Sequence, residues 1–210
     1  GLGGPDVITA TATVTYHAEK WSLRNVDGRI QDDVGEIFTA NLPWPARIED
    51  CGPGDARRHP PIKVDARKGD RGRLLIVGGG PYHGAPILSG LAAERSGCDL
   101  VHLAMPSEAV ERAEWPLSLI PEDIPDTTHI TTRSVAAILD RVLNGRGCQA
   151  VLIGPGLGRE SESIEAVCDL IEKLVEANIP LVIDADAIRA LPSHEWPAGM
   201  VGVVTPHQEE

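Results

Sequence analysis

The fold of this chain is decided by residues 68–105, KGDRGRLLIVGGGPYHGAPILSGLAAERSGCDLVHLAM. The apolar run Arg73–Val77 stops at three consecutive glycines, which is typical of a buried parallel strand that leads into a loop with unusual backbone angles. Pro86 suits the first turn of a helix, Gly97 suits the residue after its last turn, and a second strand follows at residues 99–104. The stretch therefore predicts a strand–loop–helix–strand unit. In open α/β sheets, ligands bind outside the carboxyl end of such a strand.

The same alternation of strands and helices continues toward the C-terminus. Apolar runs predict three more strands, at residues 150–153, 181–183 and 200–204. Apolar positions three and four residues apart predict a helix at residues 133–144 and a longer helix capped by Ser161. The pattern indicates an α/β, doubly wound, mostly parallel sheet covered on both faces, whereas the Pro-rich residues 106–132 are predicted to be irregular. The predicted buried helix faces are Ile87, Leu88, Leu91 and Ala92 in the first helix and Val135, Ile138, Leu139 and Val142 in the second.

The composition is that of an acidic globular protein. Of the 210 residues 42% are hydrophobic and only 3% are aromatic, so the core must be built from Val, Ile, Leu and Ala. The net charge of −12 argues against nonspecific binding to nucleic acid or to an anionic membrane. No apolar run approaches the ~18 residues that a membrane span needs. We expect a soluble, cytoplasmic homo-oligomer that binds neither nucleic acid nor membrane.

The four cysteines, at positions 51, 98, 148 and 168, show no CxxC spacing and no paired histidines nearby. Cys98 and Cys168 lie in segments with apolar periodicity, so we predict buried free thiols and a reducing compartment. No metal site is predicted from these residues.

The chain is predicted to consist of three parts. Residues 1–50 hold two extended runs, at residues 7–16 and 34–40, which are too little to bury a core by themselves. Residues 51–62 are rich in Pro, Gly and charge and are predicted to be a linker, and residues 63–210 carry the α/β domain.

The last residues carry a helix signal. Thr205 and Gln208 have the spacing of a capping box, with Pro206 at the first helical position. Because the pattern begins where the chain stops, we expect a piece of a longer protein whose sheet is incomplete at the C-terminus.

Two glycine-rich loops follow predicted strands and should face the same edge of the sheet. The loop at residues 78–85 lacks the third glycine of GxGxxG, and Ala85-Pro86 stands where a P-loop has Lys followed by Ser or Thr. The loop at residues 154–158, Gly-Pro-Gly-Leu-Gly, can turn backbone N–H groups toward an anion. The alternative is that the glycines make only tight turns. One helix terminus contributes only ~0.3–1 kcal/mol to anion binding and millimolar binding requires roughly 4 kcal/mol, so several loops would have to converge.

Asp184, Asp186 and His207 follow the later strands. Either carboxylate could contact substrate hydroxyls, act as a base or hold Mg²⁺ through water. Alternatively, Asp186 caps a short helix at residues 187–191 and Asp184 bonds to the neighbouring loop backbone. His207 could donate to a ligand oxygen or could be a plain surface histidine. The sequence contains no GxSxG or HExxH motif and no basic–aromatic patch for nucleic acid.

Four segments resemble, in this order, the marker segments of the ADP/ATP-dependent NAD(P)H-hydrate dehydratases: KGDRGRLLIVGGGPYHGAP, VLIGPGLG, LVIDADAI and VVTPHQEE. The resemblance covers about residues 63–210 and implies a ribokinase-like fold. In residues 1–50, VITATATVTYHAEK and GEIFTANLPWP resemble the closing strands of the NAD(P)H-hydrate epimerase domain, which lies upstream in bifunctional members. Asn41 stands where that domain usually has Asp.

The resemblance implies that ADP or ATP, with Mg²⁺, phosphorylates the C6 hydroxyl of the S-epimer of NAD(P)H hydrate, so that phosphate becomes the leaving group. The family's hydrate-binding positions fall on Ala85, Gly156 and His207. Gly84, Gly154 and Gly158 are further candidate substrate-binding residues in the two glycine loops. Asp184 and Asp186 match the family's DADA segment, which implies a supporting or substrate-facing role for them. The catalytic Asp of a GGxGD segment would lie beyond Glu210, and the epimerase's K⁺ site would lie upstream. We therefore expect this chain to be inactive by itself.

Two other functions stay open. Small-molecule kinases for alcohols such as vitamin precursors share the fold and the glycine loops, and a binding module without chemistry is a further alternative. The segment from KGD to GGGPYHGAP and the epimerase-like leader favour the dehydratase.

Overall fold

The structure of the protein, a computed structural model, describes residues 9–16, 23–24, 28–40, 64–145, 147–192 and 196–207. The chain forms two compact units, Gly1–Pro61 and Ile62–Glu210. Along the described parts of the chain, we find no helix that has both the length and the apolar character needed to cross a membrane.

The first unit contains a pair of parallel strands, β1 (Ala12–Tyr16) and β2 (Glu36–Ala40). Gly35 lies directly before β2 with a φ of +67°, and a Cβ at this position would lie 2.3 Å from the carbonyl oxygen of Thr11. Glycine therefore allows the chain to enter β2 beside the start of β1. Both strands lie within the two extended runs that the sequence predicts.

The second unit is built on a sheet of parallel strands. These strands are β3 (Arg73–Val77), β4 (Leu100–Ala104), β5 (Leu119–Glu122), β6 (Ala150–Ile153), β7 (Leu181–Ile183) and β8 (Gly202–Val204). Their order across the sheet is β5-β4-β3-β6-β7-β8. The strand order thus reverses between β3 and β6, with β4 and β5 on one side and β7 and β8 on the other. This arrangement confirms the predicted doubly wound parallel sheet.

Helices cover both faces of this sheet. In the described residues they are α1 (Gly84–Arg95), α2 (Ser107–Arg112), α3 (Thr132–Leu143), α4 (Ser161–Glu176) and a 3₁₀-helix (Ala185–Ala190). Leu75 and Ile76 are successive residues of β3 and point to opposite faces. Leu75 belongs to the core that contains Ile138 of α3, and Ile76 belongs to the core that contains Ile87 of α1.

The prediction that residues 106–132 are irregular is wrong, because this segment contains α2 and β5. The helix is only six residues long, which is too short for apolar periodicity to identify it. The strand includes Pro121, a residue type that argues against a central strand. However, β5 lies at the end of the strand order, where a missing N–H is tolerated.

Helix α1 buries a different face from the predicted one. Leu88 is 68% exposed, whereas Pro86, Ile87 and Gly90 are buried. Gly90 lets the helix approach the sheet closely, because a Cβ there would lie 2.9 Å from Cδ1 of Leu119. A buried glycine carries no hydrophobic signal, so the apolar pattern alone places the buried face wrongly.

The remaining elements agree with the prediction except at their ends. Val135, Ile138 and Val142 of α3 are buried as expected. Ser161 is the first residue of α4 rather than its cap, since the cap position is taken by Glu160, whose side chain makes no capping bond. The strand β8 begins two residues later than predicted.

The cysteines that the structure describes are free thiols, as predicted. Cys148 is buried, whereas Cys98 and Cys168 are only half-buried. Cys51 lies outside the described residues.

Candidate functional site

The two glycine loops lie side by side where the strand order reverses. The loop at residues 78–85 follows β3 and the loop at residues 154–158 follows β6, and these strands are hydrogen-bonded neighbours. At such a reversal, an open α/β sheet forms a crevice outside the carboxyl ends of its strands. The predicted convergence of the two loops is confirmed.

The two loops are in close backbone contact. The N–H of Gly79 donates to the carbonyl oxygen of Pro155 at 2.9 Å. A Cβ added at Gly78 would lie 2.2 Å from that same oxygen, and a Cβ added at Gly156 would lie 2.0 Å from the carbonyl oxygen of Tyr82. Gly78 and Gly156 therefore have a packing role, because neither position has room for a side chain.

Several backbone N–H groups at this contact have no acceptor within the described chain. They belong to Gly80, Gly84, Ala85, Gly156 and Gly158. Gly84 and Ala85 lie in the first turn of α1, where the side chain of His83 makes no capping bond. A helix N-terminus carries partial positive charge, and free N–H groups in a concave backbone bind anions. The place where the loops meet is thus suited to a phosphate group.

Asp184 connects the ends of β6, β7 and β8. Its N–H donates to the Ile153 carbonyl oxygen at 3.0 Å, and a Cβ at Gly154 would lie 1.7 Å from the carbonyl oxygen of Asp184. The carboxylate atom Oδ1 accepts a hydrogen bond from Thr205 Oγ1 at 2.7 Å. The contact between the two glycine loops adds the end of β3. The ends of four neighbouring strands, β3, β6, β7 and β8, are therefore linked along one edge of the sheet, which we call the carboxyl edge.

The sequence offers the capping of a helix at residues 187–191 as one role for Asp186. The structure does not show this role. It lies inside the 3₁₀-helix, whose cap position is Asp184, and no side chain caps this helix. The carboxylate of Asp186 instead pairs with Arg159 at 3.2 Å and with Arg189 at 3.9 Å. Asp186 thus ties the chain after the second glycine loop to the 3₁₀-helix.

His207 follows β8 and its side chain is exposed. The helix predicted after Thr205 lies outside the described residues, because residues 208–210 are not described. The hydroxyl of Thr205 bonds to Asp184, as noted above, which is a use that the capping-box pattern does not anticipate.

A third segment reaches the glycine loops, and the sequence did not point to it. Arg112, the last residue of α2, donates from Nη2 to the carbonyl oxygen of Gly80 at 2.5 Å. In the loop after β5, the carbonyl oxygen of Thr128 lies 3.4 Å from the position that a Cβ of Gly80 would occupy. The sequence pattern identifies neither residue, because it predicts residues 106–132 to be irregular.

Asp126 fixes the loop after β5. Its buried carboxylate accepts hydrogen bonds from the Thr131 N–H at 2.7 Å, the Thr131 hydroxyl at 2.8 Å and the Ser134 hydroxyl at 2.5 Å. Burial tends to raise the pKa of Asp126, but the hydrogen bonds outweigh burial and hold the pKa below its ordinary value. An Asp followed by Thr and Ser at a helix start is the sequence signal that could have identified this anchor.

Comparisons with known proteins agree with this arrangement. Residues 74–210 match the family model described as NAD(P)H-hydrate dehydratase. A bifunctional NAD(P)H-hydrate repair enzyme of Hyperthermus butylicus is 39% identical over 210 residues, which cover 97% of this chain and 37% of that protein. The chain thus spans less than half the length of this curated relative.

Two solved structures share the fold. The ADP/ATP-dependent NAD(P)H-hydrate dehydratase of Bacillus subtilis, co-crystallised with ATP and Mg²⁺, matches with a TM-score of 0.52 and 25% identity, over 70% of this chain and 48% of that one. A ribokinase-like superfamily protein of Enterococcus faecalis matches with a TM-score of 0.53 and 23% identity, over 71% of this chain and 50% of that one. The sheet of the second unit therefore has the ribokinase-like fold.

Proposed function

Because the chain belongs to the NAD(P)H-hydrate dehydratase family, we propose that it takes part in the nucleotide-dependent removal of water from the S-epimer of NAD(P)H hydrate. The observation that carries this proposal is the meeting of two glycine loops, with unpaired N–H groups, where the strand order reverses. Both proposed substrates, the hydrated dinucleotide and ADP or ATP, carry phosphates that such groups can bind. The names of the related repair enzyme and dehydratase support this substrate pair.

The reaction requires a hydroxyl group to leave C6 of the nicotinamide ring. Transfer of a phosphoryl group from the nucleotide to this oxygen replaces a poor leaving group with phosphate. Phosphate then departs with the C–O bonding electrons, and loss of a proton from C5 restores the double bond. The unpaired N–H groups of Gly80, Gly84 and Ala85, on one loop, and of Gly156 and Gly158, on the other, would stabilise charge on the transferred group.

The other candidate residues have distinct proposed roles at the carboxyl edge. Asp186 is paired with two arginines, so Asp184, which bonds to the Thr205 hydroxyl, is the better candidate to face substrate. Asp184 also fits a water-mediated contact with Mg²⁺, which typically binds one or two carboxylates together with substrate phosphates. Gly154 brings the second loop against Asp184, and His207 would contact the hydrate from the end of β8.

The proposal is tested with the complete protein, hydrated NADPH, Mg²⁺ and either ADP or ATP. We expect the near-ultraviolet absorbance of NADPH to return, with one phosphate released for each NADPH formed, and no return without nucleotide. Comparing ADP with ATP identifies the phosphoryl donor. Consumption of nucleotide in the presence of an alcohol acceptor, without any recovery of NADPH, would identify a kinase of the same fold and refute the proposal.

We propose separately that the first unit is the end of an NAD(P)H-hydrate epimerase domain. The match to the bifunctional repair enzyme covers 97% of this chain and therefore extends well into this unit. The complete protein should then interconvert the R- and S-hydrates in the presence of K⁺, measured by chromatography without nucleotide. Absence of epimerisation while the dehydratase is active would contradict this assignment.

A further inference from the structure

The first glycine loop is held firmly at one end and weakly in its middle. The N–H groups of Gly78 and Gly79 donate to the carbonyl oxygens of Ala104 and Pro155 at 3.2 and 2.9 Å. Beyond Gly79 the described chain offers a single hydrogen bond to residues 80–82, and it is the bond from Arg112 to the carbonyl oxygen of Gly80. Arg112 is therefore the one hydrogen-bond donor that the described chain supplies to this part of the loop, which otherwise packs against the second glycine loop.

Gly80 has a backbone conformation that glycine adopts far more readily than other residues do. Its φ is +149°, which residues with a side chain rarely adopt. A Cβ there would lie 3.1 Å from the carbonyl oxygen of Leu157, so the residue is enclosed by the second glycine loop. The bond from Arg112 is charge-assisted, and such bonds are about twice as strong as neutral ones.

Arg112 is itself held in place by the short helix α2. Its Nε donates to the carbonyl oxygen of Glu108 at 3.1 Å, within the same helix. The start of the helix is anchored to the loop after β5, because the N–H groups of Ser107 and Glu108 donate to the carbonyl oxygens of Asp126 and Thr127, each at 3.0 Å. Asp126 is the buried anchor described above. A continuous set of bonds thus runs from this anchor to the first glycine loop.

We propose that Arg112 is a positioning residue for the reaction: by holding the carbonyl oxygen of Gly80, it orients the loop whose free N–H groups bind the phosphorylated ligand. The expected effect on catalysis rests on the proposed function. The positioning of the loop by Arg112 is independent of that function. The guanidinium also brings a positive charge to Gly80, whose own N–H is one of these free N–H groups, and this charge favours an anionic ligand.

The positioning is tested by hydrogen–deuterium exchange in the complete protein. Arg112→Ala should speed exchange at least tenfold at the bonded N–H groups of Gly78 and Gly79, which a peptide spanning residues 76–84 reports, while exchange in the strand β6 stays unchanged. Arg112→Lys should have a smaller effect, since one ammonium donor replaces the guanidinium. The control is Arg95→Ala, an exposed arginine at the far end of α1. Unchanged exchange in the loop of Arg112→Ala would overturn the proposal.

The catalytic consequence is tested by kinetics on the same variants. We expect kcat/KM of Arg112→Ala to fall about tenfold to hundredfold, mostly through KM for the hydrate, as loss of one charge-assisted hydrogen bond implies. Millimolar guanidinium chloride should partly restore it, which a general loss of folding would not allow. Faster loop exchange with unchanged kinetics would refute the role in the reaction. If Arg112→Ala exchanges faster in the loop but the wild-type protein forms no NADPH, the dehydratase assignment is refuted and the positioning role of Arg112 stands.

Discussion

Gly156 shows how a single residue can determine the geometry of the carboxyl edge. Its φ is +68°, and a Cβ would lie 2.0 Å from a backbone oxygen of the opposite loop. Gly145 makes a matched control, because its φ is +62° and no atom lies within 4 Å of where its Cβ would be. Alanine would therefore introduce similar backbone strain at both positions, and only at position 156 would it also clash with another part of the chain.

We expect Gly156→Ala to lower the proposed dehydratase activity of the complete protein more than tenfold and to destabilise the protein by about 2–4 kcal/mol, since strain and a backbone clash add. Gly145→Ala should cost about 1 kcal/mol and leave activity intact. Urea unfolding and NADPH recovery measure the two effects. Equal behaviour of the two variants would show that the loops do not need their close approach.

His102 is a buried residue of β4 that contacts two half-buried charged side chains. Its Nδ1 lies 2.5 Å from Glu122 Oε1, and Nη2 of Arg141 lies 2.6 Å from its Nε2 and 2.9 Å from its Nδ1. A neutral ring can donate from Nδ1 to the carboxylate, and it avoids placing a second positive charge against the guanidinium. Burial lowers the pKa of His102 and the charge of Arg141 lowers it further, against the opposing effect of Glu122.

The free energy of unfolding should therefore depend on pH through His102. The unfolded chain binds this proton at a higher pH than the folded one, so stability is full above about pH 6.5 and falls as the pH drops from there toward the folded pKa. Urea unfolding between pH 8 and 5 measures this slope. In His102→Gln we expect a flatter dependence, and an unchanged slope would assign it to other groups.

The buried carboxylate of Asp126 should contribute measurably to the free energy of unfolding. Asp126→Asn removes the charge from a carboxylate that accepts three hydrogen bonds and turns an amide N–H₂ toward one of the donors. We expect a loss of about 2 kcal/mol in the free energy of unfolding at pH 7. The exposed Asp123→Asn is the control and should change little. Equal stability of the two variants would mean that the bonds to Asp126 do not anchor the loop.

At the scale of elements, α1 tests the difference between apolar pattern and actual burial. Ile87→Ala should cost about 2–4 kcal/mol, because the side chain packs in the core between helix and sheet. Leu88→Ala should stay within about 0.5 kcal/mol, because that side chain is exposed. Urea unfolding of the two variants is the measurement. A large loss for Leu88→Ala would favour the face that the sequence predicts.

The elements that the sequence predicted well are long or strongly apolar. The periodicity of α3 and α4 and the apolar runs of β3 and β6 each carry enough residues to be read without tertiary context. The helix α2 is too short for this, and β5 contains a proline that only its position in the sheet explains. The errors therefore fall where the neighbours of an element, rather than its own residues, decide its structure.

At the scale of the whole molecule, the proposed binding of nucleotide should raise the free energy of unfolding. A ligand that binds only the folded protein at a hundred times its Kd adds about 2.7 kcal/mol. We expect ATP with Mg²⁺ to raise the urea midpoint of the complete protein and to have little effect on Gly156→Ala. An equal shift in both would place the nucleotide away from the two glycine loops.

The carboxyl edge was predictable from the sequence only in part. Parallel strands have their carboxyl ends together, so the loops after β3, β6, β7 and β8 could be assigned to one edge before any coordinates. The bond from Arg112 to Gly80 could not, because it joins residues 32 positions apart and depends on α2, a helix too short for the sequence pattern to identify. The anchor at Asp126 has a local signal, since its carboxylate bonds to Thr131 and Ser134 at the start of a predicted helix.

The pairing of β3 with β6 has a consequence for synthesis of the chain. Val77 lies opposite Ile153, so the first glycine loop can contact the second only after the ribosome has synthesised β6 and the loop that follows it. At about 5–20 residues per second, a ribosome takes roughly 4–15 s to make the intervening chain. During this interval the nascent half-sheet exposes the flank of β3 that β6 will cover. Slow, long-range closure of this kind leaves an intermediate that a chaperone can shield or that can self-associate.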